Sequence, residues 1–502
     1  MKTIKFKYLF IAAAVVSFGS CTEEFVDITP KGSFLSDNYY ANQDQATAAL
    51  VGVYDAIRKN TGGFENMVGM MNAGSDDFYA GGGGSTDGAG IQGFSTHTLT
   101  GTIVPGSFWN DHYQGIFRAN TLLLKLPGVA MPDDVKARFA GESKALRAMY
   151  YFNLVRLFKN VPLLLEPLTA TNMYEVEQAT SEAVYAQIEK DLIEAIATLP
   201  TTVPADTESG RLTKGAAQAL LGKVYLQEGK KSEAAAILAL VNGTPGGTNQ
   251  YGNKLLTNFS DLWVVSNKFN TESLIEVSHT SAGNSDWGFW GSGRDEGNSL
   301  NVMVGPRSYS RPSGSTAPDL PSGWSFNVIT QDLYDAIKLD PRFGPTILDL
   351  KALKAAGKAD YIGGYQDTGY FLNKFLPRKE DVRTGGGAAE LNYRQNSYII
   401  RLADTYLMEA EALGSGARAQ ALLDAVRLRV GLPSVPVTLA AIKNERRMEL
   451  AGEGHRFFDL VRWGDAASKL SNRGFVAGKD EIFPIPVREL QGTKLKQNPG
   501  YN

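Results

Sequence analysis

Apolar side chains recur every three and four residues along several long stretches of this chain, the spacing that places them on one face of a helix. Ala46, Ala49, Leu50, Val53 and Ile57 form one such stripe, behind Asn42 and Asp44 as candidate caps. Trp109, Tyr113, Ile116, Phe117, Asn120 and Leu124 form a second. A third helix is predicted from Pro132, with Asp133 and Asp134 in its first turn and Val135, Phe139, Leu146, Met149 and Tyr150 inward. Thr180 or Ser181 caps a fourth, carrying Val184, Ile188, Leu192, Ala195 and Ile196 and ending before Pro200. Residues 213–229 and 232–241 then read as a helical hairpin, in which Leu221-Gly222-x-x-Tyr225 fits part of the tetratricopeptide helix pattern. Gly at that position lets two helices approach closely, and Tyr fills the groove beside it. Residues 398–413, 417–430 and 438–450 repeat the helical spacing near the other end.

The middle is different. Residues 61–106 and 242–396 are rich in Gly, Ser, Asn, Pro and aromatic side chains, with brief helical pieces such as 331–339. Loops of this length inside a compact protein are usually functional. Short strands are predicted at 273–278 and 480–485. Together these features predict one mainly α body with elaborate loops on one face.

Composition narrows the chemistry. The 502 residues are 43% hydrophobic and 21% charged, ample for a core without disulfides or metals. Fifty Lys plus Arg against 53 Asp plus Glu give net −3, which disfavours phosphate-driven nucleic-acid binding. Cys21 is the single cysteine, so neither an intrachain disulfide nor a thiolate zinc cluster can form. His97, His112, His279 and His455 are far apart in sequence and lack the H-E-x-x-H spacing. Lys2, Lys5 and Lys7 precede an apolar run over 9–16 and then Ser17-Phe18-Gly19-Ser20-Cys21. A basic start, a run too short to span a bilayer and small residues before the cut describe an export signal over 1–20. Its removal takes away three positive charges and no acid, so the remainder carries net −6.

The cysteine at that boundary resembles the lipidated residue of a bacterial lipoprotein, with 21–36 as a tether; Thr22-Glu23-Glu24 resembles the acidic tag of surface-exposed Bacteroidetes lipoproteins. The run Asn444-Glu445-Arg446-Arg447-x-Glu449-Leu450-x-x-Glu453-Gly454-His455-Arg456-Phe457-x-Asp459-Leu460-x-Arg462-Trp463 resembles the C-terminal signature of SusD/RagB-type outer-membrane lipoproteins. Phe483-Pro484-Ile485-Pro486, the closing Gln497-Asn498-Pro499-Gly500-Tyr501, Arg118-Ala119-Asn120 and Glu142-Ser143-Lys144-Ala145-Leu146-Arg147, with Tyr151-Phe152 and Val161-Pro162-Leu163, match the same family. The resemblance implies a SusD-like α/α superhelix with tetratricopeptide-like hairpins, long aromatic and Gly-rich loops and few short strands. It divides the chain at 37–241 and 242–502, two parts packed as one body. It also implies a non-catalytic cell-surface protein, anchored in outer-membrane lipid through Cys21, that captures glycans and acts as a lid on a SusC-like TonB-dependent transporter. Oligopeptide capture, as in RagB-type members, is the alternative. An all-α glycoside hydrolase would need two carboxyls at a set separation across a sugar site, and no such pair stands out. A tetratricopeptide scaffold binding only proteins would not need the loop aromatics.

The tail crowds acids and bases within a short run, but Glu445, Glu449 and Glu453 repeat every four residues and Arg456, Asp459 and Arg462 every three. That spacing lays charges along helix faces, where Arg–carboxylate pairs tie helices together. Binding chemistry is expected instead at Asp286-Trp287-Gly288-Phe289-Trp290-Gly291, followed by Arg294, and at Trp324 after Gly323. Flat indoles between glycines can stack on the C–H faces of sugar rings, while nearby Asp and Arg bond hydroxyls. The same rings could instead fold back over the core. Asp77 and Tyr79, ahead of the glycines at 81–84, are further ligand candidates. Asp295, Glu296 and Asn298 could offer oxygens to calcium, though without the EF-hand spacing. Trp109, Trp263 and Trp463 are assigned to packing.

Overall fold

A computed structural model describes residues 40–169, 172–292 and 294–501. The signal, the tether and Cys21 lie outside the described residues. Among these residues the helices that position the site and the tail are α1 Gln43–Tyr54, α2 Met67–Ala73, α3 Ala89–Thr96, α4 Ser107–Lys125, α5 Asp133–Phe158, α6 Ser181–Thr198, α7 Lys214–Gln227, α8 Lys231–Asn242, α9 Ser299–Val304, α10 Gln331–Ile337, α11 Leu402–Leu413, α12 Ala417–Arg429, α13 Leu439–Leu450 and α14 Arg456–Trp463, with short helical segments at Phe343–Thr346, Leu350–Ala355, Ala466–Lys469 and Val487–Leu490 besides. Where the sequence offered caps, the helices begin. Asn42, Thr180, Thr213 and Thr438 each accept a backbone N–H of the first turn. Helices α4 to α8 each pack on the next in the chain, and α11 closes on α8. At the α7–α8 crossing, a Cβ on Gly222 would sit 2.5 Å from Leu238 Cδ2, so only glycine allows the approach that the tetratricopeptide pattern anticipates.

The strands are short and form four two-stranded antiparallel ladders: β1 Phe78–Gly81 with β4 Phe326–Ile329, β2 Ser273–Val277 with β8 Ser397–Arg401, β3 Arg307–Ser310 with β6 Asp360–Ile362, and β5 Ile347–Asp349 with β7 Tyr370–Leu372. Two expectations need correction. Residues 398–401 leave the helical pattern, because the run Tyr398-Ile399-Ile400 pairs with β2 before α11 begins. Residues 480–485 form no strand: Pro484 has no N–H to give, Phe483 N donates to Leu157 O (2.7 Å), and Ile485 N donates to the Gln497 side chain (2.7 Å). The Trp109 stripe is also narrower than its spacing suggests, since Phe117 and Leu124 face solvent while Trp109 and Ile116 are buried.

The charged tail is an internal clamp. Glu445 and Glu449 project from α13 and Glu453 follows it, meeting Arg342, Lys374, Arg401, Arg427 and Arg429. With Glu272 and Asp340 the cluster holds five carboxylates and five cations, nearly all buried. Arg401 alone bonds Glu272 (2.8 Å), Glu449 (2.6 Å) and Glu453 (2.8 Å). These charges join the tail to segments more than a hundred residues away, so the tail motif is structural.

Candidate functional site

The loop after β2 returns to the body through hydrogen bonds that leave its aromatic rings outermost. Ser285 N donates to Asn392 Oδ1 (2.9 Å), and Asp286 Oδ1 accepts Trp287 N (2.7 Å), opening a single 3-10 turn over Trp287–Phe289. Gly291 N donates to Asp295 Oδ2 (2.8 Å), and Arg58 Nη1 donates to Gly291 O (3.1 Å). Trp290 Nε1 donates to Ser299 Oγ (2.8 Å) at the start of α9, fixing its plane.

Trp324 arrives from a second loop and is held through its backbone. Its N–H donates to Val302 O (3.0 Å), Gly323 N donates to Pro306 O (2.8 Å), and Ser325 N donates to Gly305 O (2.7 Å). A Cβ at Gly323 would meet Gly305 Cα and Val302 O at 2.5 Å, so glycine is required for this seat.

The two loops bring three indoles together. Ring centroids are 5.4 Å apart for Trp287–Trp290, 5.4 Å for Trp290–Trp324 and 5.9 Å for Trp287–Trp324. Trp290 stands edge-on to both neighbours, at 78°, while Trp287 and Trp324 are inclined by only 31°. Behind them Phe64 packs edge-on to Trp290 and Phe326, joining the platform to the core. Trp287 is 50% exposed, whereas Trp290 and Trp324 are partly covered. An indole left half in water on a pinned loop offers a flat apolar face on which a ring can stack.

Polar groups flank the platform. Arg307 Nε donates to Trp324 O (3.0 Å) and Nη2 to Asp87 Oδ2 (3.2 Å), while Asp87 also accepts Gly83 N (2.6 Å) of the glycine loop. Tyr365, 37% exposed, is tied to the same loop by its N–H to Gly82 O (2.8 Å). Asn284, Ser308, Ser325 and Gln366, none of them glycine, adopt left-handed backbone in the segments around the indoles. Strain of this kind concentrates at functional sites. On the flank, the Arg294 guanidinium lies 4.6 Å above Phe289.

The platform therefore gathers Asp286, Trp287, Phe289, Trp290 and Trp324, with Arg294 beside them. Asp77 and Tyr79 do not join it. Asp77 is buried and paired with Arg447 (2.6 Å), and Tyr79 lies beneath the Arg473 guanidinium (4.6 Å). Burial and neighbouring Asp76 push the Asp77 carboxyl up, against the pull of Arg447 and Arg456. Asp77 is thus a tail anchor, a role visible only once residue 447 is placed beside it. Asp295 turns its oxygens to Gly291 N and Gly297 N, and Asn298 Oδ1 accepts Leu300 N. Among the described residues no group of three His, Cys, Asp or Glu side chains gathers at metal-ligand spacing. Trp109 is buried; Trp263 packs among Phe259, Phe375 and Tyr398, and Trp463 donates to Glu411 (3.0 Å). Sequence reasoning missed Phe64, Arg307 and Tyr365. Tyr365 carried a usable signal, since Gly363-Gly364 precedes it as glycine precedes Trp324.

Known proteins resemble this chain along most of its length. Residues 350–501 match the family model described as "SusD family", and residues 91–226 match one described as "Starch-binding associating with outer membrane". SusD-like protein P25 of Formosa agariphila is 25% identical, over 96% of this chain and 95% of its own. A solved surface glycan-binding protein A from Bacteroides thetaiotaomicron, in complex with laminarihexaose, is 25% identical, with TM-score 0.81, over 91% of this chain and all of its own. A solved laminarin-binding SusD-like protein is 64% identical, with TM-score 0.91, over 92% of this chain and 100% of its own. With that identity across an entire SusD-like chain and the same helical fold, this protein belongs to the SusD/RagB family.

Proposed function

We propose that the protein captures oligo- or polysaccharides at the cell surface, with β-glucans of the laminarin type as the first class to test, and passes them on without bond chemistry. The observation that carries this reading is the indole platform of Trp287, Trp290 and Trp324. It offers flat apolar faces beside Asp286, Asp87 and Arg307, which suit the C–H faces and hydroxyls of a sugar chain. The 64% identity to a protein named for laminarin binding supports the choice of glycan over the oligopeptides of RagB-type relatives. Isothermal titration with laminarihexaose, maltohexaose, cellohexaose and a mixed oligopeptide library tests it. Each stacked ring contributes about 1 kcal/mol, so Trp287→Ala, at the exposed ring, should weaken glycan binding about five-fold with melting unchanged, and Trp324→Ala should weaken it about as much with some loss of stability, because that ring also packs against the core. Full affinity in the double variant, or peptide binding without glycan binding, sinks the proposal.

In the same reading the protein is lipid-anchored through Cys21, faces the cell exterior and serves as a lid on a SusC-like TonB-dependent transporter. Export signal and cysteine support the anchor. Cys21→Ala should move the protein from the membrane to the soluble fraction, and a tagged wild-type protein should co-purify a TonB-dependent barrel from solubilised outer membranes. Membrane retention of the variant, or a pull-down without any such barrel, would remove those two parts.

A further inference from the structure

Helix α9 begins at a serine whose side chain reaches the platform. Asn298 Oδ1 caps the turn by accepting Leu300 N (3.0 Å), while Ser299 N and Leu300 N also donate to Thr61 O (3.1 and 3.2 Å). Asn298 N donates to Tyr393 O (2.8 Å), and its side-chain amide to Gln395 O (2.9 Å). Ser299 is thereby pinned from two sides, and it is fully buried. Its hydroxyl oxygen accepts two N–H groups from different segments: Gly63 N (2.9 Å), 236 positions away, and Trp290 Nε1 (2.8 Å). Two lone pairs meet two donors.

Gly63 arrives on the residues that follow the 3-10 turn Asp55–Asn60. From that turn Arg58, held by Asp55 (3.3 Å), is the residue that donates to Gly291 O. Gly63 has a φ of 73°, and a Cβ there would lie 3.0 Å from Gly291 Cα, so the two loops touch backbone to backbone. Phe64 then meets Trp290 edge-on at 6.0 Å. Trp290 is gripped at its indole N–H, at a ring edge and through the carbonyl of the next residue.

We propose that Ser299 is a positioning residue of the platform: it holds Trp290 upright, and Trp290 in turn sets the angle between Trp287 and Trp324 before any sugar arrives. The proposal rests on the glycan reading of the platform. Ring angles support this division of labour. Trp290 stands at 78° to both neighbours, whereas they incline to each other by 31°, so two rings present faces and the third braces them. Without Ser299 Oγ the indole loses its hydrogen-bonded anchor, and its order has to be restored on binding, at the expense of affinity.

Ser299→Ala in the full chain tests this with two readouts. Gly222→Ala, which disturbs the α7–α8 crossing outside the platform, is the control for general destabilisation. In the ligand-free protein, indoles this close couple electronically and share a circular-dichroism band. Ser299→Ala should weaken that band, and Gly222→Ala should leave it intact. Titration with laminarihexaose should give an affinity about five-fold lower for Ser299→Ala and unchanged for Gly222→Ala. In a Trp290→Phe background, which has no indole N–H to hold, Ser299→Ala should cost less than about two-fold. Should Ser299→Ala not fold, Ser299→Cys, close in volume but a weaker acceptor, takes both readouts. A wild-type protein that binds no sugar removes the glycan reading, and the ligand-free band then decides the role of Ser299 by itself. An unchanged band, full affinity, or an affinity loss that recurs undiminished in the Trp290→Phe background or in Gly222→Ala overturns the proposal.

Discussion

Glu449→Gln is the sharpest test of the charged tail. Glu449 is fully buried; Oε1 meets Arg401 (2.6 Å) and Arg429, and Oε2 meets Arg342 (2.9 Å). The amide nearly matches the carboxylate in shape, so the substitution removes charge and little volume. Five cations then face four carboxylates, with Arg342 and Arg401 at 0% side-chain exposure and Arg429 at 3%. Breaking a buried pair from one side costs about 3–5 kcal/mol, roughly two to three and a half decades in the folding equilibrium. The exposed pair Lys144–Glu194, with side chains 29% and 40% exposed at 2.6 Å, provides the internal control: Glu194→Gln should cost about 0–1 kcal/mol. Urea unfolding of both variants reads the difference, provided the slope stays constant. Acid adds a second reading. Burial alone would raise the Glu449 carboxyl, but Arg429, Arg401 and Arg342 override it and hold it well below the usual carboxylate range. Its stabilisation is therefore present above the unfolded value near 4.5 and disappears as pH falls further, a loss that Glu449→Gln should lack. A penalty no larger than that of Glu194→Gln refutes the reasoning, as does lost glycan binding at unchanged stability.

Two further outcomes follow from packing and protonation. Gly222→Ala forces a methyl group against buried Leu238 and should destabilise by about 1–3 kcal/mol in urea, whereas Gly229→Ala, with open space but a left-handed backbone, reports backbone strain alone. Burial lowers His97, His112 and His279 to about 4 and His455 to about 3. Their unfolded forms take up protons first, so stability should be full above about pH 6.5 and fall as pH drops toward 4, by up to about 1.4 kcal/mol per unit for each histidine; a urea midpoint constant between pH 7 and 5 contradicts this.

The chain's local chemistry determined its helices. Apolar spacing and side-chain caps suffice for that, because a helix closes its hydrogen bonds within a few residues, and α1, α5, α6 and α7 begin beside Asn42, Pro132, Thr180 and Thr213. The charge spacing of the tail likewise disclosed a structural motif before any partner was known. Sequence could also propose indoles between glycines as a binding surface. It could not say that residues 287, 290 and 324 share one platform, because ring stacking depends on where two loops return to the body. Nor could it separate Asp286, left exposed beside those rings, from Asp77, which is buried against Arg447. Both are acids next to aromatic residues in loops. Their difference lies in desolvation and in a cation 370 positions away, and long-range electrostatics of that kind exists only after the chain has folded.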